Sequence, residues 1–242
     1  SEDIRVLIFK LVDGLHNMQT LEFVPKEKRL RIARETLEIY VPIAHRLGMG
    51  RVRKELEDLA FPYVYPKDSE KVDSIIKPYM KNAFDRLEKE RKTLQKKLAE
   101  EKMGDFRTAY RVKGTYSLYR KLERKEWDAD QIHDLLAIRV IVKTLEDCYR
   151  ALGIVHSLWR PLPRRVKDYI AFPKPNGYQS LHTTVITGEE DIMEVQIRTE
   201  SMHRESEFGV ASHLSYKEAQ DSGGLTPSQS RTWVTELIPS LF

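Results

Sequence analysis

The chain has little cysteine and no long apolar run. Cys148 is the single cysteine among 242 residues, which excludes an internal disulfide and fits a reducing compartment. A bilayer-spanning helix needs about 20 apolar residues, and no run approaches that length. The N-terminus also lacks the basic-then-apolar layout of a signal peptide. We therefore expect a soluble globular protein in which Cys148, in a helical-looking segment, is a buried structural thiol and not a nucleophile.

Charge is plentiful but nearly balanced. The 41 Lys and Arg residues against 37 Asp and Glu leave a net charge of +4, too small an excess to indicate nucleic-acid binding. Two local clusters are basic, one comprising Arg111, Lys113, Arg120, Lys121, Arg124 and Lys125, the other Arg160, Arg164, Arg165, Lys167 and Lys174. Two such clusters, with the carboxylates Asp134 and Glu194 near them in the sequence, suit two polyphosphates and a metal ion.

The first hundred residues have the apolar period of packed helices. Helices are predicted over 3–18 and 26–47, and the Gly48-Met49-Gly50 break separates them from a third helix over 51–64 that ends before Pro66. Segment 67–102 is crowded with charge around a thin apolar seam. This pattern predicts a long, partly exposed connecting helix.

After Gly104, short apolar runs alternate with helical segments. The runs predict strands over 136–142, 166–172, 181–186 and 192–197, and helices over 115–124, 145–158 and 199–219. A sheet with helices packed on it thus follows the helical region, so the predicted fold class is α+β. Asp221-Ser222-Gly223-Gly224 indicates a linker before a short terminal helix.

The most informative stretch covers residues 165–198. Near its C-terminal end, Met193, Val195 and Ile197 alternate with Glu194, Gln196 and Arg198. A strand sorts the apolar and the polar side chains onto opposite faces. The polar face fits a solvated surface as readily as a functional site.

A turn in the middle of this stretch favours the functional interpretation. Pro173, Pro175 and Gly177 make it stiff, and it ends in Tyr178 with Lys174 and a histidine on either side. A cation beside an aromatic ring suits a phosphorylated base.

Several segments together resemble one family. They are RVKGTYSLYRK at 111–121, DLLAIRV at 134–140, RVKD at 165–168, KPNGYQSLH at 174–182, EVQIR at 194–198, Met202-His203 and Tyr216-Lys217. These segments resemble the synthetase domain of the RelA/SpoT homologues, which make the alarmone (p)ppGpp by moving pyrophosphate from ATP to GTP or GDP. The resemblance covers roughly half of the chain, which makes it far more specific than an isolated motif.

The resemblance implies a nucleotidyltransferase-like fold and Mg²⁺ held by Asp134 and Glu194 from separate strands. The ion would neutralise charge on the ATP phosphates, while Glu194 would orient or deprotonate the ribose 3′-hydroxyl of the acceptor. The doublet His133-Asp134 also fits the metal centre of a phosphohydrolase, but it immediately precedes an apolar strand. Asp134 alone explains the doublet better.

ATP binding is assigned by the resemblance to five residues: Arg111, Lys113, Ser117, Lys121 and Arg139. A helix that opens after Gly114 would also point backbone N–H groups at phosphate, and Ser117 and Lys121 share a face of it. Arg139 is the implied second adenine-stacking group. Arg139 lies five positions after Asp134, however, and a regular strand places those two on opposite faces.

The acceptor nucleotide is assigned to six residues: Lys167, Lys174, Asn176, Tyr178, His182 and Gln196. Tyr178 would stack on guanine, Lys167 would approach phosphate, and the others would supply polar contacts. A tyrosine packed in the core is the alternative for Tyr178. The RVKD segment resembles the basic version of this motif, typical of family members that pair synthesis with hydrolysis.

The N-terminal segment LVDGLHNM at 11–18 resembles the last portion of the family's metal-dependent hydrolase domain, with Asp13 as one metal ligand. The sequence contains no upstream histidines or His-Asp pair, and Gly14 replaces the usual arginine. We therefore expect no hydrolase activity from the sequence as given. The predicted organisation is an incomplete HD-type hydrolase domain at 1–65, a connecting helix at 66–104, a complete synthetase domain at 105–219, and a linker with a terminal helix at 220–242.

The expected function is that of a GTP pyrophosphokinase acting on ATP and GTP or GDP, in bacterial cytoplasm or alternatively plastid stroma. A catalytically silent guanine-nucleotide-binding regulatory module is the competing class, and nucleotide transfer to RNA ends is a third. Regulation by absent hydrolase and C-terminal segments is expected. Ribosome or RNA contact is expected only through missing regions.

Overall fold

The chain divides into two compact units. The computed structural model describes residues 4–128, 135–188 and 192–211. One unit comprises residues 1–66 and 204–242, and the other comprises residues 67–203. The domain boundaries predicted at 65, 104 and 219 stay predictions. Among the described helices, none combines the length and apolar character that a membrane span requires.

The described region of the first unit is helical. Its main elements are α1 (Ile4–Gln19), α2 (Lys26–Glu35), α3 (Val41–Arg46) and α4 (Gly50–Val64). A π-helical turn, Thr36–Tyr40, joins α2 to α3, so the single helix predicted over 26–47 contains one wider turn. Apolar residues at the helical period predicted for α1, among them Ile8, Leu11 and Leu15, are buried in the core of this unit.

The second unit contains a five-stranded mixed sheet. Its strands are β1 (Phe106–Val112), β2 (Leu136–Val142), β3 (Arg160–Asp168), β4 (Leu181–Ile186) and β5 (Ile192–Thr199). The strand order is β1-β2-β5-β4-β3; β2 and β5 are parallel and the other neighbours antiparallel. The helical N-terminal region and the mixed sheet confirm the α+β prediction.

The helices of this unit are α5 (Pro66–Glu100), α6 (Thr115–Arg124) and α7 (Leu145–Leu158), and α8 (Glu200–Phe208) follows β5. The guanidinium of Arg91 in α5 donates to the Tyr110 hydroxyl at 2.9 Å and to Thr108 Oγ1 at 3.2 Å, which ties α5 to β1. A capping box between Thr144 and Asp147 begins α7.

One face of the sheet packs against α7. Ile138, Val140 and Val195 lie fully buried in this core together with Cys148 of α7. The prediction of a buried structural thiol is thereby confirmed, and burial raises the pKa of Cys148 to about 12. The thiol is therefore protonated at neutral pH and is a poor nucleophile.

Two predicted elements differ from the structure, and one strand was not predicted. Strand β1 was not predicted, because Arg107 and Arg111 interrupt its apolar pattern. The strand predicted over 166–172 is displaced: β3 ends at Asp168, whose side chain accepts backbone hydrogen bonds that turn the chain. The helix predicted over 199–219 is interrupted after Phe208, where Gly209 takes a left-handed φ of 57°, and the predicted part beyond residue 211 lies outside the described residues.

Strand β3 is an irregular edge strand of the described sheet. Its pairing with β4 shifts register between Pro161 and Val166, and Arg164 has a positive φ of 60° within the shift. Pro161 and Pro163 have no N–H to donate, which the outer strand of a sheet tolerates. Because prolines argue against a strand, the sequence pattern did not predict the part of β3 before Val166.

Candidate active site

Cross-strand pairing places six predicted residues on the sheet face opposite α7. One row runs Arg111, Ala137, Glu194 and Thr184, and the next runs Arg139, Gln196, His182 and Lys167. Residues paired across strands share a face, as do residues two apart along one strand. The second row therefore joins Arg139, predicted to bind ATP, to three residues predicted to bind the acceptor, and Arg111, also predicted to bind ATP, lies in the neighbouring row.

A hydrogen-bonded chain runs from Tyr178 through His182 to Glu194. His182 Nδ1 lies 2.7 Å from Glu194 Oε1, and the two side chains are only 15% and 13% exposed. The Tyr178 hydroxyl lies 2.8 Å from His182 Nε2. These two hydrogen bonds connect the predicted base-stacking ring of Tyr178 to the predicted catalytic carboxylate of Glu194.

The direction of these two hydrogen bonds follows from the protonation states of the groups. Burial lowers the pKa of His182 and outweighs the hydrogen bond to Glu194, which raises it, while the charges of Arg111 and Lys174 lower it further. The imidazole is therefore neutral at pH 7 and carries one N–H. An ionised carboxylate only accepts, so Nδ1 donates to Glu194 and Nε2 accepts from the Tyr178 hydroxyl.

Arg111 meets the same carboxylate from β1. Its Nη1 lies 3.9 Å from Glu194 Oε2, an ion pair between part-buried side chains. Beyond β1, Gly114 is the N-cap residue of α6, so the helix begins where the sequence predicted. Ser117 and Lys121 lie in α6 one turn apart. The contact of Arg111 with Glu194 thus brings a residue predicted to bind ATP to the predicted acceptor site.

The loop from β3 to β4 holds an aromatic cluster beside His182. The ring of Tyr169 lies edge-on to those of Tyr178 and His182, at centroid distances of 6.1 and 5.2 Å. Lys174 Nζ lies 4.6 Å from the Tyr169 centroid and 5.1 Å from that of Tyr178. The cation beside an aromatic ring predicted for this turn is present in the structure.

Backbone hydrogen bonds close the turn itself. Lys174 N donates to Tyr178 O at 3.1 Å, and Gly177 N donates to Lys174 O at 2.8 Å. Gly177 has a positive φ of 79°, a conformation that favours glycine. Asn176 Oδ1 accepts from Tyr178 N at 3.4 Å, so this predicted base contact also supports the turn.

The polar face of β5 is not a solvated surface. Gln196 and Arg198 are each only 1% exposed, which excludes that interpretation for both residues. Within the described residues, Gln196 Oε1 is buried and has no hydrogen-bond partner. A buried acceptor of this kind costs free energy unless a donor reaches it, so the position suits a ligand donor group.

Sequence reasoning missed two residues of this region, Tyr169 and Asp168. Tyr169 contacts three predicted acceptor residues, and Asp168 hydrogen-bonds the turn that carries Tyr169. The available signal was that both residues follow Lys167, Asp168 as the last residue of the RVKD segment and Tyr169 as the residue after it. The strand predicted over 166–172 hid it, since a continuous strand would have placed Tyr169 away from the turn.

Two family models match parts of the chain. Residues 110–221 match the model described as "Region found in RelA / SpoT proteins", and residues 1–50 match an HD domain model. The chain belongs to the RelA/SpoT family. The family match covers the predicted site residues, and the HD match covers the segment predicted to belong to a hydrolase domain.

Individual RelA/SpoT relatives have names that refer to two opposite reactions. The chain is 46% identical over 243 residues to the guanosine-3′,5′-bis(diphosphate) 3′-pyrophosphohydrolase of Aquifex aeolicus, which covers 100% of this chain and 34% of that protein. It is 46% identical over 220 residues to the GTP pyrophosphokinase of Myxococcus xanthus, covering 91% and 29%. The chain thus spans about a third of the length of these relatives. A solved structure, small alarmone synthetase 2 from Bacillus subtilis, is 26% identical with a TM-score of 0.42 and covers 71% of this chain and 89% of that one.

Of the two carboxylates that the RelA/SpoT resemblance predicts to hold Mg²⁺, Glu194 lies within the described residues. Mg²⁺ is commonly held by one or two carboxylates together with substrate phosphates, and a part-buried carboxylate on this sheet face fits that role. No group of three or more potential protein ligands occurs among the described residues. Asp134 and His133 lie outside the described residues. The predicted ion and its two carboxylates therefore stay predictions.

Proposed function

We propose that this RelA/SpoT homologue is a GTP pyrophosphokinase. It would transfer the β,γ-pyrophosphate of ATP to the ribose 3′-hydroxyl of GTP or GDP, giving pppGpp or ppGpp and AMP. The observation that carries the proposal is the hydrogen-bonded chain from Tyr178 through His182 to Glu194. It fixes an aromatic ring suited to a purine at a set distance from a carboxylate suited to a 3′-hydroxyl.

The reaction needs a base, and it needs the acceptor oxygen and the leaving group in line with the β-phosphorus of ATP. The acceptor 3′-oxygen attacks the β-phosphorus of ATP, the bond from the α–β bridging oxygen to that phosphorus breaks, and AMP leaves. Glu194 takes the 3′-hydroxyl proton, while the N–H of His182 holds Oε1 in place. Arg111 beside Oε2 adds positive charge where the donor phosphates would approach. Mg²⁺, bound by Asp134 and Glu194, would supply charge neutralisation on the ATP phosphates.

The buried acceptor on Gln196 supports a guanine nucleotide at this site. Gln196 lies beside His182 in the cross-strand row, and its Oε1 suits a hydrogen-bond donor on the bound nucleotide. The similar protein from Myxococcus xanthus is named GTP pyrophosphokinase, which agrees with the proposal.

The test is incubation of the 242-residue chain with ATP labelled in the γ-phosphate, GDP and Mg²⁺. We expect labelled ppGpp and equimolar AMP. Binding of GDP without transfer would instead support the silent regulatory module, and label in an added RNA would support the polymer-directed reaction. Either result would contradict the proposal.

The expectation of no hydrolase activity stays a prediction for the chain as given. Its one named metal ligand, Asp13, accepts a hydrogen bond from Asn17 Nδ2 at 3.2 Å within α1. Release of pyrophosphate from ppGpp in the presence of Mn²⁺ would contradict the expectation.

A further inference from the structure

The carboxylate of Asp168 accepts three hydrogen bonds at the end of β3. Its Oδ1 accepts from the backbone N–H groups of Ile170 and Ala171, at 2.9 and 2.8 Å. Its Oδ2 accepts from the hydroxyl of Tyr149 in α7 at 2.9 Å. Both oxygens are thus occupied by protein donors, one from the turn and one from a helix 19 residues away in sequence.

These bonds fix the turn that presents Tyr169. Tyr169 N donates to Ser180 O at 3.0 Å, and Gln179 Nε2 donates to Ile170 O at 3.1 Å. The turn is therefore bonded to Asp168 on one side and to the start of β4 on the other. A shift of Asp168 would move the Tyr169 ring, which contacts Lys174, Tyr178 and His182.

The chemistry of Asp168 fits an anchor better than a substrate ligand. A carboxylate beside nucleotide phosphates would repel them, and its acceptor oxygens are already engaged with the Ile170 and Ala171 amides and the Tyr149 hydroxyl. The hydrogen bond to Asp168 is also the main cause that raises the pKa of Tyr149, as expected for a phenol that donates to a carboxylate.

We infer that Asp168 and Tyr149 are positioning residues for the acceptor nucleotide. They act through the turn at 169–171 on the ring of Tyr169 and, through that ring, on Lys174, Tyr178 and His182. The inference rests on the proposed function, because it assigns those residues to the guanine nucleotide. It gives α7, which packs on the other face of the sheet, a role in acceptor affinity.

The test uses Tyr149→Phe, Asp168→Asn and the double variant in the 242-residue chain. Tyr149→Phe removes one hydroxyl and keeps the ring, and we expect the Kd for GDP, measured by calorimetry without ATP, to rise about threefold to tenfold. The KM for GDP should rise with it, while the KM for ATP stays unchanged. A purely structural loss would not separate the two substrates.

Asp168→Asn gives a result whose direction is diagnostic. The substitution removes a negative charge, so a simple electrostatic role would tighten GDP binding, whereas positioning predicts weaker binding. The effects of the two substitutions on GDP binding should be less than additive in the double variant, because Tyr149→Phe removes, and Asp168→Asn weakens, the same hydrogen bond. Thr144→Ala, which removes the cap of α7 but not the Tyr149 contact, is the matched control and should leave GDP binding unchanged.

Three outcomes would overturn the inference: unchanged GDP affinity in Tyr149→Phe, tighter binding in Asp168→Asn, or equal effects on both substrates. A chain that binds GDP with the predicted variant pattern but transfers no pyrophosphate would overturn the proposed function alone. Absence of GDP binding by the unaltered chain would overturn both.

Discussion

Glu194→Gln is expected to lower the rate of pyrophosphate transfer about a thousandfold, within the range for loss of a general base. The amide has nearly the shape of the carboxylate, and its oxygen still accepts from His182 Nδ1, so the hydrogen-bonded chain to Tyr178 persists. The neutral amide cannot take the 3′-hydroxyl proton and is a poor ligand for Mg²⁺. Chemistry should therefore fail while the acceptor site stays formed.

The measurement is a single-turnover transfer rate together with the Kd for GDP. We expect the rate to collapse and the Kd to change little. Glu200→Gln is the matched control, since Glu200 lies in the same region of the chain but forms an exposed ion pair with Arg107. Near-wild-type turnover in Glu194→Gln would end the assignment of Glu194 as base.

Tyr178→Ala is expected to raise the KM for the guanine nucleotide roughly fivefold to 150-fold, because base stacking on an aromatic side chain contributes about 1–3 kcal/mol. The KM for ATP should stay the same, since Tyr178 belongs to the acceptor loop. The substitution also removes the hydroxyl that donates to His182 Nε2, so kcat should fall as well.

Tyr178→Phe separates the two contributions. It keeps the stacking ring and removes only the hydroxyl, so we expect the acceptor KM to stay within about threefold of the unaltered chain while kcat falls. Phe172→Ala is a control in the same loop, because the Phe172 ring is 77% exposed. Equal acceptor KM values for Tyr178→Ala and Tyr178→Phe would show that Tyr178 does not act by stacking.

The sequence could predict the grouping of the site where its residues are close in the chain or follow strand alternation. Lys174, Tyr178 and His182 fall within one turn and the strand after it, and Glu194 and Gln196 follow the two-residue period of β5. The helical N-terminal region and its apolar stripes were predictable for the same reason, since the period of a long helix is a local property.

The remaining features depend on contacts that no local pattern reports. The side chain of Tyr149 is 43% exposed, which gave no signal of a bond to Asp168. Gln196 and Arg198 are each 1% exposed, whereas alternation alone allowed a solvated face as readily as a functional one. The limits of β3 were misjudged because prolines argue against a strand, whereas an outer position accepts them.

The irregular course of β3 has a consequence for how the molecule behaves at high concentration. An outer strand with regular amides invites another chain to pair with it, which is a common route to aggregation. Two prolines without N–H groups, a shift in register and exposed arginines interrupt this edge. Pairing of β3 with a strand of another molecule is therefore disfavoured. The exposed basic residues of this strand, Arg164, Arg165 and Lys167, then stay accessible to solvent beside the acceptor loop.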